Sequence, residues 1–243
     1  MIVGVGVPGP AAALIAWSGA VAFATSLGWF LYSYVVPWGS PGSPGPLAAP
    51  IAINIGLFSV FALHHSAFAR TGLKGWLRRH LPAELERTLY TWISSVLFAI
   101  VCTAWAPVPG VWYRLEGPLA LLGYGAQIAG VALTLVAGNN MDFLDLAGVR
   151  QVQRTRLGGS PSHVALQTRG LYGFVRHPLY FAWVLVVFGT PDMTGTRATF
   201  ASISTAYLAL AIPWEERDLV ELFGPGYEAY RRQVRWRMIP FLY

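Results

Sequence analysis

The chain has 243 residues, of which 55% are hydrophobic and 12% are charged, and its mean hydropathy is +0.49. A soluble domain carries about a quarter charged residues, so this composition excludes an ordinary soluble protein and predicts an integral membrane protein. The net charge is +6, but the basic residues are confined to a few loops between apolar runs. That distribution is typical of membrane topology and argues against nucleic-acid binding.

Cysteine and histidine usage limits the chemistry further. Cys102 is the only cysteine, so a disulfide within the chain and a cysteine-based metal site are both excluded. The histidines are scattered and show no spacing typical of zinc ligands, so no metal is expected. The first apolar run lacks a positively charged leader and is too long for a signal peptide, so we expect it to be retained as a span.

Six apolar runs are predicted to cross or enter the membrane. The first four approach or exceed the roughly 20 residues that cross the hydrocarbon region, while the last two are shorter, which suits tilted helices. We therefore predict an all-α fold, a polytopic transmembrane helix bundle that ends in a helical hairpin and a cytoplasmic C-terminal helix. The six runs cover residues 11–36, 51–69, 88–106, 118–138, 181–190 and 198–212.

The whole chain, residues 1–243, is interpreted as one integral membrane domain. Residues 1–50 supply the first span and a loop rich in proline and glycine, 51–140 the next three spans, and 168–240 the hairpin and tail. Lys and Arg cluster after the second span, after the fourth span and in the tail, and only Arg114 and Arg197 lie on the other side. The excess of cytoplasmic Lys and Arg in membrane proteins therefore predicts that both termini face the cytoplasm. The expected location is the bacterial inner membrane.

Two polar motifs flank the predicted hairpin. GLYGFVRHPLY covers residues 170–180, and PWEERDLVELFGPGYEAYRRQV covers residues 213–234. A hairpin brings its ends together, so Arg176, His177 and Tyr180 are expected to lie near Glu215 and Glu216. Charge at the end of a membrane span is costly unless it has a use. These residues could hold a zwitterionic cofactor, or they could be no more than interfacial anchors and ion pairs.

These motifs, with the closing IP at residues 239–240, resemble the isoprenylcysteine carboxyl methyltransferase superfamily of membrane enzymes that use S-adenosyl-L-methionine. The segment FALHHSAFARTGLKGWLRRHLPAELERTLY, residues 61–90, followed by WAPVPGVWY, is similar to the NnrU-type branch and, within it, to the methanethiol S-methyltransferases. The likeness runs from about residue 57 to residue 240. It predicts a glutamine at position 64, where this chain has His64.

The resemblance implies a thiol S-methyltransferase embedded in the membrane, which would convert methanethiol to dimethyl sulfide and could also convert hydrogen sulfide to methanethiol. Its small thiol substrate would reach the site through the membrane lipid. The implied cofactor-binding residues are Thr168, Gly170, Leu171, Tyr172, Arg176, His177, Tyr180, Glu215 and Glu216. The residues expected to activate the thiol are His65, Ser66, Arg70 and Glu86.

Several alternatives stay open at this point. His65 matches the family's His-Ser pair, but a histidine at the end of a span can also be purely interfacial. Residues 139–169 are interpreted either as an amphipathic helix on the membrane surface or as a lid over the site. The methyl acceptor could instead be a prenylcysteine or another lipid-like molecule. Two further interpretations remain. The chain could be a haem-binding protein with His64, His65 or His177 as axial ligands, or it could be a non-catalytic membrane component.

Overall fold

The computed structural model describes residues 9–69, 85–139, 144, 148–156 and 165–243, and these are mostly helical. Four helices are long and apolar enough to cross a membrane: α1 (Gly9–Val35), α2 (Ala48–Ala69), α3 (Glu86–Ala104) and α4 (Pro118–Asn139). The remaining helices are α5 (Val149–Arg156), α6 (Pro178–Phe188), α7 (Gly195–Phe223) and α8 (Pro225–Gln233). The chain is an integral membrane protein.

The four predicted long spans agree with α1 to α4 to within three residues at either end. The last two predicted spans correspond to α6, which has 11 residues, and to α7, which has 29 residues and contains Pro213. Neither α6 nor α7 is among the helices that qualify as spans by length and composition, so a total of six spans stays a prediction. One element was not expected, a ribbon formed by strands β1 (Val111–Arg114) and β2 (Asp192–Thr194).

The described residues divide into two compact units, and the first is formed by the described parts of Met1–Val35, Gly56–Trp105 and Met141–His163. Within it α1 packs along α3, and Gly19 allows the close approach, since a Cβ there would meet Thr88 and Trp92 at 3.3 Å. The short helix α5 is buried against α1 through Val149 and Val152. The described part of the predicted surface helix or lid therefore has its apolar side covered by the chain itself.

The second unit comprises Val36–Ile55, the described part of Ala106–Asn140, and the described part of Val164–Tyr243. Its main contact is between α4 and α6. Small residues let two helices approach closely where no aqueous hydrophobic force drives them together. A Cβ at Gly130 would meet the Ala182 carbonyl oxygen at 2.7 Å and Val186 Cγ2 at 2.8 Å. The backbone of α6 is thus held directly against α4, which fixes the helix that begins within the RHPLY motif, residues 176–180.

Replacing Gly130 by valine is expected to destabilise the protein by about 1–3 kcal/mol or more, because a side chain there has to displace the backbone of α6. The measurement is the thermal unfolding midpoint of purified protein in detergent. Gly125 lies on the same helix and has open space around its Cα, so Gly125→Val is the matched control. Equal effects of the two substitutions would contradict this account of the contact.

The β ribbon lies in the second unit and links the loop before α4 to the start of α7. Arg114 pairs with Asp192 at 2.7 Å, and Thr194 caps α7 by accepting a hydrogen bond from the Arg197 backbone N–H. The Arg197 side chain is buried and donates to the Asp192 carbonyl oxygen at 2.7 Å. The two arginines assigned from the sequence to the non-cytoplasmic side thus both contact residues at or next to β2.

The C-terminal segment turns back onto the hairpin. Helix α7 ends at Gly224, whose φ of 54° lies in the left-handed region that glycine adopts without strain, and α8 follows at once. After α8 the chain forms a final turn in which the Met238 and Ile239 backbone N–H groups donate to the Tyr243 carbonyl oxygen. Residues 234–243 are therefore part of the folded second unit and not a loose tail.

Candidate active site

The RHPLY motif is held by the C-terminal segment through backbone hydrogen bonds. The Arg176 N–H donates to the Trp236 carbonyl oxygen at 2.9 Å, and the His177 N–H donates to the Arg237 carbonyl oxygen at 2.8 Å. Pro178 then begins α6, where its missing N–H costs no helical hydrogen bond. The charged residues of the motif are fixed between the start of α6, the end of α7 and the final segment of the chain.

Arg176 and Glu216 form a buried ion pair. The Arg176 Nε donates to Glu216 Oε1 at 2.6 Å, and the two side chains are 5% and 3% exposed. Arg176 Nη1 also donates to the Val234 and Arg235 carbonyl oxygens, at 2.7 and 3.0 Å. Breaking such a buried pair is costly, because the remaining charge is left without compensation. This pair joins α6, α7 and the final segment.

His177 and Tyr180 connect the same cluster to Glu215. The Tyr180 hydroxyl donates to Glu215 Oε1 through a short hydrogen bond, and the His177 ring stacks on the Tyr180 ring with centroids 5.3 Å apart. His177 Nδ1 lies 3.6 Å from Glu215 Oε2, and its Nε2 lies 3.5 Å from Glu216 Oε1. The Glu215 side chain is 42% exposed. The Glu216 carboxylate is therefore buried in the fold, whereas the adjacent Glu215 carboxylate is accessible.

The environment of Glu216 lowers its pKa. Burial alone would raise the pKa, but the interactions with His177 and Arg176 favour the charged form and bring the pKa from 4.5 to about 2. Because the pKa in the folded state lies below its ordinary value, Glu216 stabilises the fold fully above pH 4.5. That contribution is lost as the pH falls from 4.5 towards 2.

Acid titration of stability tests this assignment. We expect the difference in unfolding midpoint between the wild type and Glu216→Gln to be constant above pH 5 and to shrink as the pH falls through 4.5. The physical reason is that the wild-type carboxyl then takes up a proton on unfolding, whereas glutamine does not titrate. Melting curves in detergent from pH 7 to pH 3 measure the difference. A difference independent of pH across that range would contradict the lowered pKa.

The residues before the motif form a tight turn beside the cluster. Gly170 has a φ of 65° and begins the 3-10 turn Gly170–Gly173, and Thr168 precedes this turn. The Tyr230 hydroxyl of α8 donates to the Tyr172 carbonyl oxygen at 2.7 Å, and burial raises the pKa of Tyr172 and of Tyr230. These two tyrosines are therefore neutral at physiological pH. The turn is anchored to α8 and belongs to the same unit as the ion pair.

An apolar cavity of about 200 Å³ adjoins this turn and the start of α6. Leu133 of α4, Pro240 of the final segment and Val175 are among the residues that line it, together with Leu171 and Phe181. All of the described residues that line it are apolar. Cavities without polar groups favour apolar occupants over water.

Three further residues belong to this cluster but were not predicted to do so. Arg237 Nε lies 3.6 Å from Glu216 Oε2, and Arg237 Nη1 donates to the Tyr243 hydroxyl at 3.0 Å. The Tyr227 hydroxyl is buried without a hydrogen-bond partner among the described residues, and its pKa is raised to about 12, first by burial and then by Glu216. From the sequence, Arg237 counted only as one of the basic residues of the tail that set the membrane orientation. The motif RWRMIP shows a dense cationic run, but not which arginine faces the cluster.

The residues predicted to activate the thiol lie in the first unit, except for Arg70, which lies outside the described residues. The Tyr90 hydroxyl is 2.8 Å from His65 Nδ1, and Ser66 follows on α2. Glu86 is buried at the start of α3, one helical turn before Tyr90 and hence on the same side of that helix. The structure thus brings Tyr90 to His65, and this partner was not predicted.

His64, the residue that departs from the expected glutamine, also contacts α3. Its Nδ1 lies 3.4 Å from the Ser94 hydroxyl, and its ring packs on Phe68 with centroids 4.4 Å apart. Across the described ranges, no group of three or more His, Cys, Asp or Glu side chains is placed to hold a metal ion.

Comparison with known proteins identifies the family. The model of the isoprenylcysteine carboxyl methyltransferase family matches residues 130–221. Methanethiol S-methyltransferase 2 of Bradyrhizobium diazoefficiens is 36% identical over 215 residues, which cover 88% of this chain and 83% of the relative. The chain belongs to the methanethiol S-methyltransferase family. The family predicted from the sequence motifs is thereby confirmed.

Other members of the family match over similar lengths. The methanethiol S-methyltransferase of Crocosphaera subtropica is 36% identical, with 81% of this chain and 77% of the relative covered. That of Mycobacterium tuberculosis is 32% identical, with 88% of each chain covered. No solved structure matches the chain significantly. The prediction that the chain is a methyltransferase is confirmed by these relatives.

The range matched by the family model contains part of the cluster. It includes the Arg176–Glu216 ion pair, His177, Tyr180 and Glu215, but ends before Arg237. Geometry thus extends the candidate site of this methanethiol S-methyltransferase family member into the final segment of the chain.

Proposed function

We propose that this chain transfers a methyl group from S-adenosyl-L-methionine to methanethiol and releases dimethyl sulfide. Relatives that are named for methanethiol methylation cover most of the chain at 32–36% identity, and this supports the acceptor. The observation that carries the proposal is the cluster of opposite charges where α6, α7 and the final segment, residues 234–243, meet. Methanethiol is small and apolar, as suits the neighbouring apolar cavity.

The residues of the cluster fit a zwitterionic cofactor. Arg176 and Glu216 pair inside the fold, whereas Glu215, which contacts His177, and Arg237, which contacts Glu216, are a partly accessible carboxylate and a partly accessible cation. The buried Tyr227 hydroxyl also lacks a hydrogen-bond partner among the described residues, so the cluster has polar capacity to spare. Thr168, Gly170, Leu171 and Tyr172 would line the same site beside the motif. When bound, the cofactor would supply an electrophilic methyl group: the sulfur of methanethiol would take the methyl and lose its proton, and S-adenosylhomocysteine would be the leaving group.

His65, Ser66, Arg70 and Glu86 are proposed to act on the proton of the thiol. A thiolate is the reactive form, and a free thiol has a pKa above neutrality, so a group that accepts the proton raises the rate. The bond between His65 and Tyr90 supports this role, because it orients the imidazole.

Replacing His65 by alanine is expected to lower turnover of methanethiol by about a hundredfold or more, the usual contribution of a general base. Affinity for S-adenosylhomocysteine should remain that of the wild type. Turnover is measured by headspace gas chromatography over a range of pH, with Glu86→Gln as a second variant. Intact turnover in both variants would remove these residues from the mechanism.

The cluster is proposed to face the cytoplasm of a bacterial inner membrane, with both termini inside. The arginines on the RHPLY motif, on α8 and in the final segment support this orientation, since Lys and Arg are enriched on the cytoplasmic side. S-adenosyl-L-methionine is made in that compartment.

The proposal is tested with purified protein in detergent. Wild type and Glu215→Gln are each given S-adenosyl-L-methionine and methanethiol, and dimethyl sulfide is measured in the headspace. We expect product from the wild type and little from the variant, whose substituted side chain is accessible and not part of the buried pair. No product, with binding of S-adenosylhomocysteine retained, would reject methanethiol and direct the search to larger thiols or prenylcysteine acceptors. If the wild type neither formed dimethyl sulfide nor bound S-adenosylhomocysteine, and showed a haem absorption band, the proposed methyl transfer would be rejected.

A further inference from the structure

Arg176, one of the residues implied to bind the cofactor, is bonded to other parts of the fold. Its Nε donates to Glu216, and its Nη1 donates to two backbone carbonyl oxygens of the final segment. Its side chain is only 5% exposed. Arg176 therefore connects the start of α6 to α7 and to residues 234–235, and Glu216 neutralises its charge.

Arg237 is a second arginine of the cluster, and it is partly accessible. Its side chain is 36% exposed, and its Nε lies 3.6 Å from Glu216 Oε2. The Tyr243 hydroxyl accepts a hydrogen bond from Arg237 Nη1 and donates to the Ala209 carbonyl oxygen of α7, at 3.0 and 3.1 Å. The guanidinium also lies over the Tyr243 ring, 5.3 Å from its centroid. The position of Arg237 is thus set by the last residue of the chain while part of its side chain stays open.

The distribution of charge in the cluster also points to Arg237. The pairing of Arg176 with Glu216 removes one positive and one negative charge from consideration. Glu215 lies 3.6 Å from His177 Nδ1 and Arg237 lies 3.6 Å from the second Glu216 oxygen, but unlike the Arg176–Glu216 pair these two side chains are partly accessible, at 42% and 36%. A methionine group carries an ammonium and a carboxylate, which these two side chains complement. Arginine binds carboxylates with charge-assisted and often bidentate hydrogen bonds.

We propose that Arg237, positioned by Tyr243, binds the carboxylate of the methionine part of S-adenosyl-L-methionine. This inference rests on the proposed function. The final segment thereby has two roles: its backbone holds the RHPLY motif, and one of its side chains recognises the amino-acid end of the cofactor.

The test compares two ligands that differ in the amino-acid part. S-adenosylhomocysteine carries the ammonium and the carboxylate, whereas 5′-methylthioadenosine has the same adenosine and thioether without either group. Affinities are measured by isothermal titration calorimetry on the full-length protein in detergent. In Arg237→Gln we expect affinity for S-adenosylhomocysteine to fall by about tenfold or more, since hydrogen bonds to charged groups are strong. Affinity for 5′-methylthioadenosine should not change.

Matched variants separate this role from a structural one. Arg232 is exposed on α8, so Arg232→Gln makes the same charge change and should leave both affinities unaltered. Tyr243→Phe keeps the ring but removes the acceptor for Arg237, so it should weaken S-adenosylhomocysteine selectively and to a smaller degree. Arg237→Lys should retain part of the affinity.

Two results would overturn the proposal. Equal loss of both ligands in Arg237→Gln would mean that Arg237 supports the fold and not the carboxylate, and unchanged affinity for S-adenosylhomocysteine would remove it from the site. If the wild type bound neither ligand, the proposed function itself would be rejected. That outcome differs from normal binding by both the wild type and Arg237→Gln, which would reject only the role of Arg237.

Discussion

Arg176→Met is expected to lower the free energy of unfolding by about 3–5 kcal/mol, the usual cost of breaking a buried ion pair from one side. The substitution leaves Glu216 buried without its closest cation, and it also leaves the Val234 and Arg235 carbonyl oxygens without a side-chain donor. The thermal or denaturant midpoint of purified protein in detergent gives the effect. The exposed Arg232→Met should shift stability by no more than about 0.5 kcal/mol.

A double-mutant cycle distinguishes the pair from a general loss of packing. Arg176→Met combined with Glu216→Leu removes both charges, and we expect it to be more stable than the sum of the two single losses predicts. The reason is that no buried charge then remains uncompensated. Additive losses would show that the two side chains do not depend on each other, in conflict with their 2.6 Å contact.

The long spans could be predicted because their signal is local. Uninterrupted apolar runs of about 20 residues have few alternatives to crossing a membrane, and α1 to α4 begin and end within three residues of the predicted bounds. The β ribbon has no such signal, since β1 has four residues and β2 has three and they lie 78 positions apart at the Arg114–Asp192 pair. The two strands follow from tertiary contacts, among them the packing of α4, which begins just after β1, against α6, which ends just before β2.

The sequence predicts which residues of the two motifs lie close together, but it does not predict which of their charges pair. The motifs placed Arg176, His177 and Tyr180 with Glu215 and Glu216, and the structure brings all five into one cluster. Which charges neutralise each other depends on the contacts Arg176–Glu216 and Arg237–Glu216, which are 40 and 21 residues apart, and no periodicity encodes these. Arg237 was missed because the final segment folds back through a turn closed by Tyr243, although its sequence resembles an interfacial tail.

Glu215→Gln is expected to weaken binding of S-adenosylhomocysteine by about tenfold to a hundredfold while leaving the unfolding midpoint unchanged. Glutamine can still accept the hydrogen bond from Tyr180, and the side chain is 42% exposed, so the fold loses little. What is lost is the accessible negative charge that would meet the cofactor's ammonium. Hydrogen bonds between charged partners contribute about 1.5–3 kcal/mol, and each 1.4 kcal/mol is tenfold in affinity.

The control for Glu215 is Glu221→Gln, an exposed carboxylate on the same helix, α7, which should bind both ligands as the wild type does. Binding of 5′-methylthioadenosine should survive in Glu215→Gln, since that ligand has no ammonium. Loss of both ligands would instead indicate that Glu215 acts through Tyr180 and His177 on the shape of the whole site. Because Glu215 and Arg237 would bind opposite ends of one amino-acid group, removal of either should leave the ligand's adenosine end as the main source of affinity. The double variant should therefore bind S-adenosylhomocysteine about as weakly as 5′-methylthioadenosine.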